Sequence, residues 1–174
     1  MPMKQVYLLT GAPGTGKTSL IKQVVAGMKD RAGGFYTEEI RTRGARQGFR
    51  LITLDGQNAV LAHVSNNSQY RVGKYGVDID SLERVGVPSL RKAAQQCELV
   101  VIDEIGKMEL FSAGFREAVS DIIDSGKKIL GTIMLKPHPW ADAIKRKPQV
   151  SLIEVTRTNY QQVLDDLRNW LRAI

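Results

Sequence analysis

At 174 residues, with 43% hydrophobic and 25% charged side chains, the chain is sized and balanced for one globular domain, 1–174, and is neither disordered nor fibrous. Its net charge of +7 attracts polyanions, but the Lys and Arg residues are scattered, and no basic tail or RNA-reading aromatic motif appears. A single cysteine, Cys97, rules out an intramolecular disulfide, and the only histidines, His63 and His138, lie too far apart for a zinc-ligand spacing. No apolar run reaches membrane-spanning length, so the expectation is a cytoplasmic protein without membrane association.

The first predicted element is a strand near Gln5–Thr10, carrying the apolar run Val6-Tyr7-Leu8-Leu9. Gly11-Ala12-Pro13-Gly14-Thr15-Gly16-Lys17-Thr18 comes next and fits G-x-x-x-x-G-K-[ST], the loop that cradles nucleotide phosphates. Glycine lets the backbone curl around phosphate oxygens, and the freed N–H groups and the next helix's N-terminus face the anion. Lys17 is predicted to meet the β- and γ-phosphates and Thr18 to offer its hydroxyl to Mg²⁺. A cleavable leader here would remove the loop, so none is expected. Leu20, Ile21, Val24, Val25 and Met28 predict a helix from Lys17 to about Lys29, with Gly33-Gly34 as its stop.

Phe35–Ile40, Phe49–Leu54 and Ala59–Val64 predict three short strands. Arg41–Gly48 reads as an exposed turn and Asp55-Gly56 as a tight one, which makes the strands an antiparallel meander over about 34–64, inserted on a parallel core. His63 reads as an ordinary strand residue. Ser65–Gly76 reads as a loop near the site, Val77-Asp78-Ile79 as a short strand, and the next stretch as a helix in two pieces or broken at Pro88, a residue suited to a first helical position. Cys97 closes that helix and reads as a buried structural thiol.

Leu99-Val100-Val101-Ile102-Asp103-Glu104 is the second strong signal: an apolar run for a buried parallel strand, with two carboxylates at its C-terminal end, where open α/β sheets bind ligands. Asp103 fits the acid that orients Mg²⁺. Glu104 suits alignment and deprotonation of an attacking water. Ser112 is predicted to cap a helix to about Ser125, stopped by Gly126. Lys127–Leu135 and Val150–Val155 are further core strands, with a rigid loop Lys136–Trp140 and a short helix Ala141–Arg146 between them. Thr158 with Gln161 predicts a capping box for a closing helix that buries Val163, Leu164, Leu167, Trp170 and Leu171.

The phosphate loop, Gly34-Phe35-Tyr36-Thr37-Glu38-Glu39-Ile40-Arg41, Arg71-Val72-Gly73-Lys74-Tyr75 and Asp103-Glu104-Ile105-Gly106-Lys107-Met108-Glu109-Leu110-Phe111 occur in this order. In these stretches the chain closely resembles the small nucleoside-triphosphatases first described from thermophilic microbes, with the human cancer-related nucleoside triphosphatase as a relative. The resemblance implies a P-loop three-layer α/β sandwich with a mainly parallel central sheet. It also implies slow, Mg²⁺-dependent hydrolysis of nucleoside triphosphates to diphosphates with little base preference. The family's nucleotide-binding segments fall here on Gly11, Ala12, Pro13, Gly14, Thr15, Gly16, Lys17 and Thr18, and on Leu99, Val100, Val101, Ile102, Asp103, Glu104, Ile105 and Gly106.

The expected machinery is therefore Lys17 on the phosphates, Thr18 and Asp103 on Mg²⁺, and Glu104 on water. A cation near the γ-phosphate comes from Arg41, Arg71, Lys107 or Arg146, with Arg71 and Lys107 preferred because each lies in a family-specific stretch. Two other readings stay open: a kinase passing the γ-phosphate to an acceptor, and a nucleotide-switched module that binds RNA or protein. A monomer is favoured.

Overall fold

A computed structural model describes residues 4–173. β1 (Val6–Thr10) leads through the loop into α1 (Lys17–Val25), then come β2 (Ala32–Thr42), β3 (Ala45–Thr53), β4 (Asn58–His63), β5 (Arg71–Val72) and β6 (Tyr75–Val77). A helical stretch is next: α2 (Ile79–Ser81), a π-turn over Leu82–Gly86, and α3 (Val87–Gln96). β7 (Leu99–Ile105), α4 (Ala113–Asp124), β8 (Lys128–Ile133), α5 (Pro139–Lys145), β9 (Val150–Glu154) and α6 (Tyr160–Arg172) complete the chain. None of these helices is long and apolar enough to cross a membrane.

All nine strands form one sheet, in the order β5-β6-β4-β3-β2-β7-β8-β1-β9. From β2 to β9 the pairings are parallel, and from β2 outward to β5 they are antiparallel. β1, β7 and β8 read as largely apolar runs because both of their faces are covered. Along β7 the side chains alternate: Leu99 and Val101 pack with Leu20, Ile21, Leu164 and Trp170 of α1 and α6, while Val100 and Ile102 pack with Leu90, Phe115 and Val119 of α3 and α4. This is the expected three-layer α/β sandwich, and the same alternation puts Asp103 on the α1 face.

Several local expectations are corrected, although the antiparallel meander forms over β2, β3 and β4 as expected. It is continuous with the parallel half, since β2 belongs to both. Its first residues pair in parallel with β7 (Ala32 with Leu99, Phe35 with Ile102), and its remainder pairs antiparallel with β3. Gly33 and Gly34 are thus strand residues, and α1 ends at Val25. Close packing explains the glycines: a Cβ on Gly33 would lie 2.7 Å from Ala93 Cβ, and one on Gly34 would lie 2.1 Å from the Val101 carbonyl oxygen. The exposed turn predicted over Arg41–Gly48 shrinks to Arg43 (φ 52°) and Gly44 (φ 79°), the left-handed pair of a tight hairpin.

Within the predicted loop Ser65–Gly76, Arg71–Val72 and Tyr75–Val77 form a small hairpin that extends the sheet. The strand proposed over Val77–Ile79 stops at Val77, because the Asp78 carboxylate accepts a hydrogen bond from Ser81 N (2.9 Å) and starts a helix. Pro88 sits in the first turn of α3, as its missing N–H favours. Ser112 caps α4, accepting from Phe115 N. The reciprocal cap before α6 is made by Thr156 and Asn159, not by Thr158 and Gln161. Thr156 N donates to Asn159 Oδ1 (2.7 Å) and Asn159 N to Thr156 Oγ1 (3.2 Å).

Candidate active site

The loop after β1 turns through left-handed glycines, Gly14 at φ 80° and Gly16 at φ 86°, conformations that side chains with a Cβ rarely adopt. Gly16 is also the N-cap of α1, so the helix's unpaired N–H groups open into the loop. Lys17 Nζ reaches back and donates to the carbonyls of Gly11 (2.9 Å) and Ala12 (3.0 Å). Thr15 Oγ1 also donates to Ala12 (3.0 Å). The lysine is thus anchored across the mouth of the loop.

Asp103 stands near the end of β7, 3% exposed. Thr132 Oγ1, from the neighbouring strand β8, donates to its Oδ1 (2.6 Å). Its Oδ2 is buried with no hydrogen-bond partner among the described residues. Burial pushes the Asp103 carboxyl above the usual carboxylate range, while the hydroxyls of Thr132 and Thr18 and the charges of Lys22 and Lys17 pull it back. Glu104 is likewise raised, first by burial and then by the Asp103 carboxylate, with Lys17 opposing. Gly106 makes room for it: a Cβ there would lie 2.5 Å from Glu104 Oε1.

Leu99, Val100, Val101, Ile102 and Ile105 have no accessible surface. They hold the acids in place from the core.

A cavity of about 650 Å³ joins these groups. One wall is Gly11, Pro13, Lys17, Thr18, Asp103 and Glu104, with Lys107 beside them, and Thr132 to Lys136 extend it along β8. The antiparallel half of the sheet contributes Thr37, Glu38, Glu39, Arg46, Phe49 and Val72. Of the predicted cations, Lys107 lines the cavity. Arg71 does not: its guanidinium donates to the Asn66 (2.9 Å) and Lys74 (2.8 Å) carbonyls and braces the β5–β6 turn. Arg41 is taken up by Glu39 and the Gly44 carbonyl, and Arg146 lies beyond the end of α5.

Sequence reasoning missed two residues here. Arg46 lines the cavity from the hairpin wall. Glu109, 4% exposed, is pushed well above the carboxylate range by burial and then by the Glu104 charge, and the N–H groups of Glu109 and Gly106 partly offset this. Its signal in the sequence is an acid set between Met108 and Leu110-Phe111.

Cys97 is half-buried and borders a separate cavity of about 360 Å³ against Gly33, Asp55 and Lys92. Burial raises its thiol, the reverse of an activated nucleophile. His63 pairs with Ser65 Oγ (2.7 Å), and His138 caps α5.

Residues 6–168 match a protein family described as NTPase. The chain is 46% identical over 165 residues to the nucleoside-triphosphatase THEP1 of Thermotoga sp. (strain RQ2), covering 95% of this chain and 94% of that one. Its fold matches the crystal structure of THEP1 from the hyperthermophile Aquifex aeolicus with a TM-score of 0.88 at 38% identity, over 95% of this chain and 98% of the other. It also matches the solution structure of a human cancer-related nucleoside triphosphatase, with a TM-score of 0.82 at 38% identity, over 98% of both chains.

Proposed function

The chain belongs to the NTPase family and is a nucleoside-triphosphatase, and on that premise we propose that it hydrolyses ATP, GTP, CTP and UTP slowly, with Mg²⁺ and with little base preference. The observation that carries this reading is the convergence of Lys17, Thr18, Asp103 and Glu104 on one cavity.

The donors fit a hard divalent cation. Asp103 Oδ2 is buried without a hydrogen-bond partner among the described residues, beside the Thr18 hydroxyl at the start of α1. Thr18 and Asp103 would hold Mg²⁺, and a cation there favours the ionised form of an acid that burial disfavours. When bound, Mg²⁺ supplies charge neutralisation for the β- and γ-phosphate oxygens.

The chain's own residues carry the remaining steps. The loop N–H groups bind the phosphates, and Lys17 exchanges the Gly11 and Ala12 carbonyls for phosphate oxygens. Glu104 accepts a proton from water as its oxygen attacks the γ-phosphorus in line. The bond from that phosphorus to the bridging oxygen breaks, and nucleoside diphosphate leaves with the electron pair. A carboxyl raised above its ordinary range is the stronger base for this transfer. Lys107 contributes positive charge at the rim, and Arg71 contributes by holding the β5–β6 turn beside Val72.

The same reading puts a monomer in the cytoplasm, where a lone unpaired cysteine is at home.

The test is phosphate release from the four triphosphates with Mg²⁺, wild type beside Glu104→Gln, using γ-labelled ATP in one arm. Release from all four, lost in the variant while nucleotide still binds, is expected. Label appearing in an organic product instead of inorganic phosphate overturns hydrolysis in favour of a kinase.

A further inference from the structure

The phosphate loop and the two acids account for one wall of the cavity. The antiparallel half of the sheet supplies the only arginine that lines it among the described residues, Arg46. We infer that Arg46, delivered by the β2–β3 hairpin, is the cation that meets the γ-phosphoryl oxygens in the transition state. The inference rests on the nucleoside-triphosphate reading of the site and names a residue which that reading lacks.

The guanidinium is held on several sides. Nε donates to Tyr75 Oη (2.9 Å), and Nη1 donates to Glu39 Oε1 (3.1 Å). Its central carbon lies 5.2 Å from the centre of the Phe49 ring and 5.6 Å from that of Tyr75. Those two rings meet edge-on, with centroids 5.3 Å apart. Nη2 makes no hydrogen bond among the described residues. A planar donor fixed along one edge and open at another suits the oxygens of a phosphoryl group.

The ion pairing leaves Arg46 only partly neutralised. Its carboxylate partner Glu39 is shared: Arg41 Nη2 contacts Oε2 (2.6 Å) while Arg46 takes Oε1.

The backbone explains how Arg46 comes to face inward. In β2–β3 pairing, Ile40 is opposite Gly48 and Arg41 is opposite Arg46, so β3 carries one extra residue, Gln47. This bulge reverses the alternation and brings Arg46 onto the face of Phe49, a residue three positions away that regular pleating would put on the other side. Bulges are a recurrent means of re-aiming a side chain beside an active site.

The experiment compares wild type, Arg46→Ala and Arg46→Lys, with Arg84→Ala removing an equal charge from an exposed site paired to Asp80. Three readouts are taken: steady-state hydrolysis with and without added guanidinium, affinity for a non-hydrolysable ATP analogue, and affinity for ADP with aluminium fluoride, which mimics the transferring phosphoryl group.

Arg46→Ala should lower kcat about a hundredfold, the usual cost of one transition-state donor. Analogue binding should stay close to wild type, aluminium fluoride binding should weaken in step with kcat, and guanidinium should restore part of the rate. Arg46→Lys should fall between the two, and it supplies the same readouts if Arg46→Ala does not fold.

Normal hydrolysis in a folded Arg46→Ala overturns the inference. So does parallel loss of analogue and aluminium fluoride binding without rescue, which marks a structural role. A wild type that releases no phosphate defeats the hydrolase reading alone, because the Arg46 dependence of aluminium fluoride binding still decides this one.

Discussion

The two halves of the sheet supply the site in different ways. In the parallel half, β7, β8 and β1 are buried on both faces, and only their C-terminal ends and the loops beyond them reach the cavity: the glycine loop after β1, and Asp103 and Glu104 near the end of β7. Function there is a matter of strand ends. In the antiparallel half, strand interiors reach the cavity, with Glu39 on β2 and Arg46 and Phe49 on β3. One half offers the glycine loop and two acids on a rigid edge, and the other presents a face whose side-chain directions depend on register. The parallel half should therefore tolerate little at its strand ends, and the antiparallel half should be sensitive wherever the register or the Arg46 cage changes.

The largest effect is expected from Lys17→Ala, which removes the cation anchored across the phosphate loop. Turnover should drop by about a hundredfold or more. Titration calorimetry with ATP would show the loss of affinity, and near-normal binding would separate the loop from the site.

Gly106→Ala comes next. A methyl group 2.5 Å from Glu104 Oε1 must push that carboxyl aside. With Glu104 as the proposed general base, turnover should fall at least about tenfold, with KM little changed. A variant with wild-type kcat would show that Glu104 acts from more than one position.

Glu109 probes the seam between the halves, because its buried carboxyl also feels Glu104. Its affinity for protons is raised in the folded state, so the folded protein binds more protons than the unfolded chain above the ordinary carboxylate range of about 4.3. The stability this contributes is complete below that range and is lost as pH rises through the raised value. The melting temperature should therefore decline on the alkaline side, and Glu109→Gln, a near-isostere with no charge, should flatten the decline. An unchanged pH profile in the variant would locate the titrating group elsewhere.

The smallest effect is expected of Cys97→Ser. The thiol borders a different cavity and burial raises its pKa, so hydrolysis should match wild type, and a folded but inactive variant would give that cavity a role in turnover.

The parallel half was largely legible in the sequence. Val6–Leu9, Leu99–Ile102 and Ile129–Met134 announce themselves by runs dominated by apolar residues, and the chemistry sits within a few residues of their ends. The outer half was legible as strands but not as a surface. Arg46 and Phe49 look like opposite-face residues until the extra Gln47 is counted. Gly33-Gly34 looks like a helix stop until Ala93 and Val101 are seen against it. Glu109 looks like a solvated acid, because no local pattern says that the short turn carrying it folds under Glu104. The cap before α6 lies two residues earlier than the Thr158–Gln161 pattern predicts, because Asn159 is the residue that reaches back to Thr156.

Local chemistry is what the amino-acid order determines by itself. Where glycine must bend, where a lysine comes after it, and where two acids end an apolar run are properties of neighbours in sequence, and they carry the expectation of a nucleotide-phosphate site on a parallel core. Tertiary structure decided which distant groups face that site. A bulge aims Arg46 inward, Tyr75 and Glu39 hold it, Arg71 is spent on a turn, and burial alters the carboxyls of Asp103, Glu104 and Glu109. Register and burial are set by pairings between residues far apart in the chain, so they come into being only when the sheet closes.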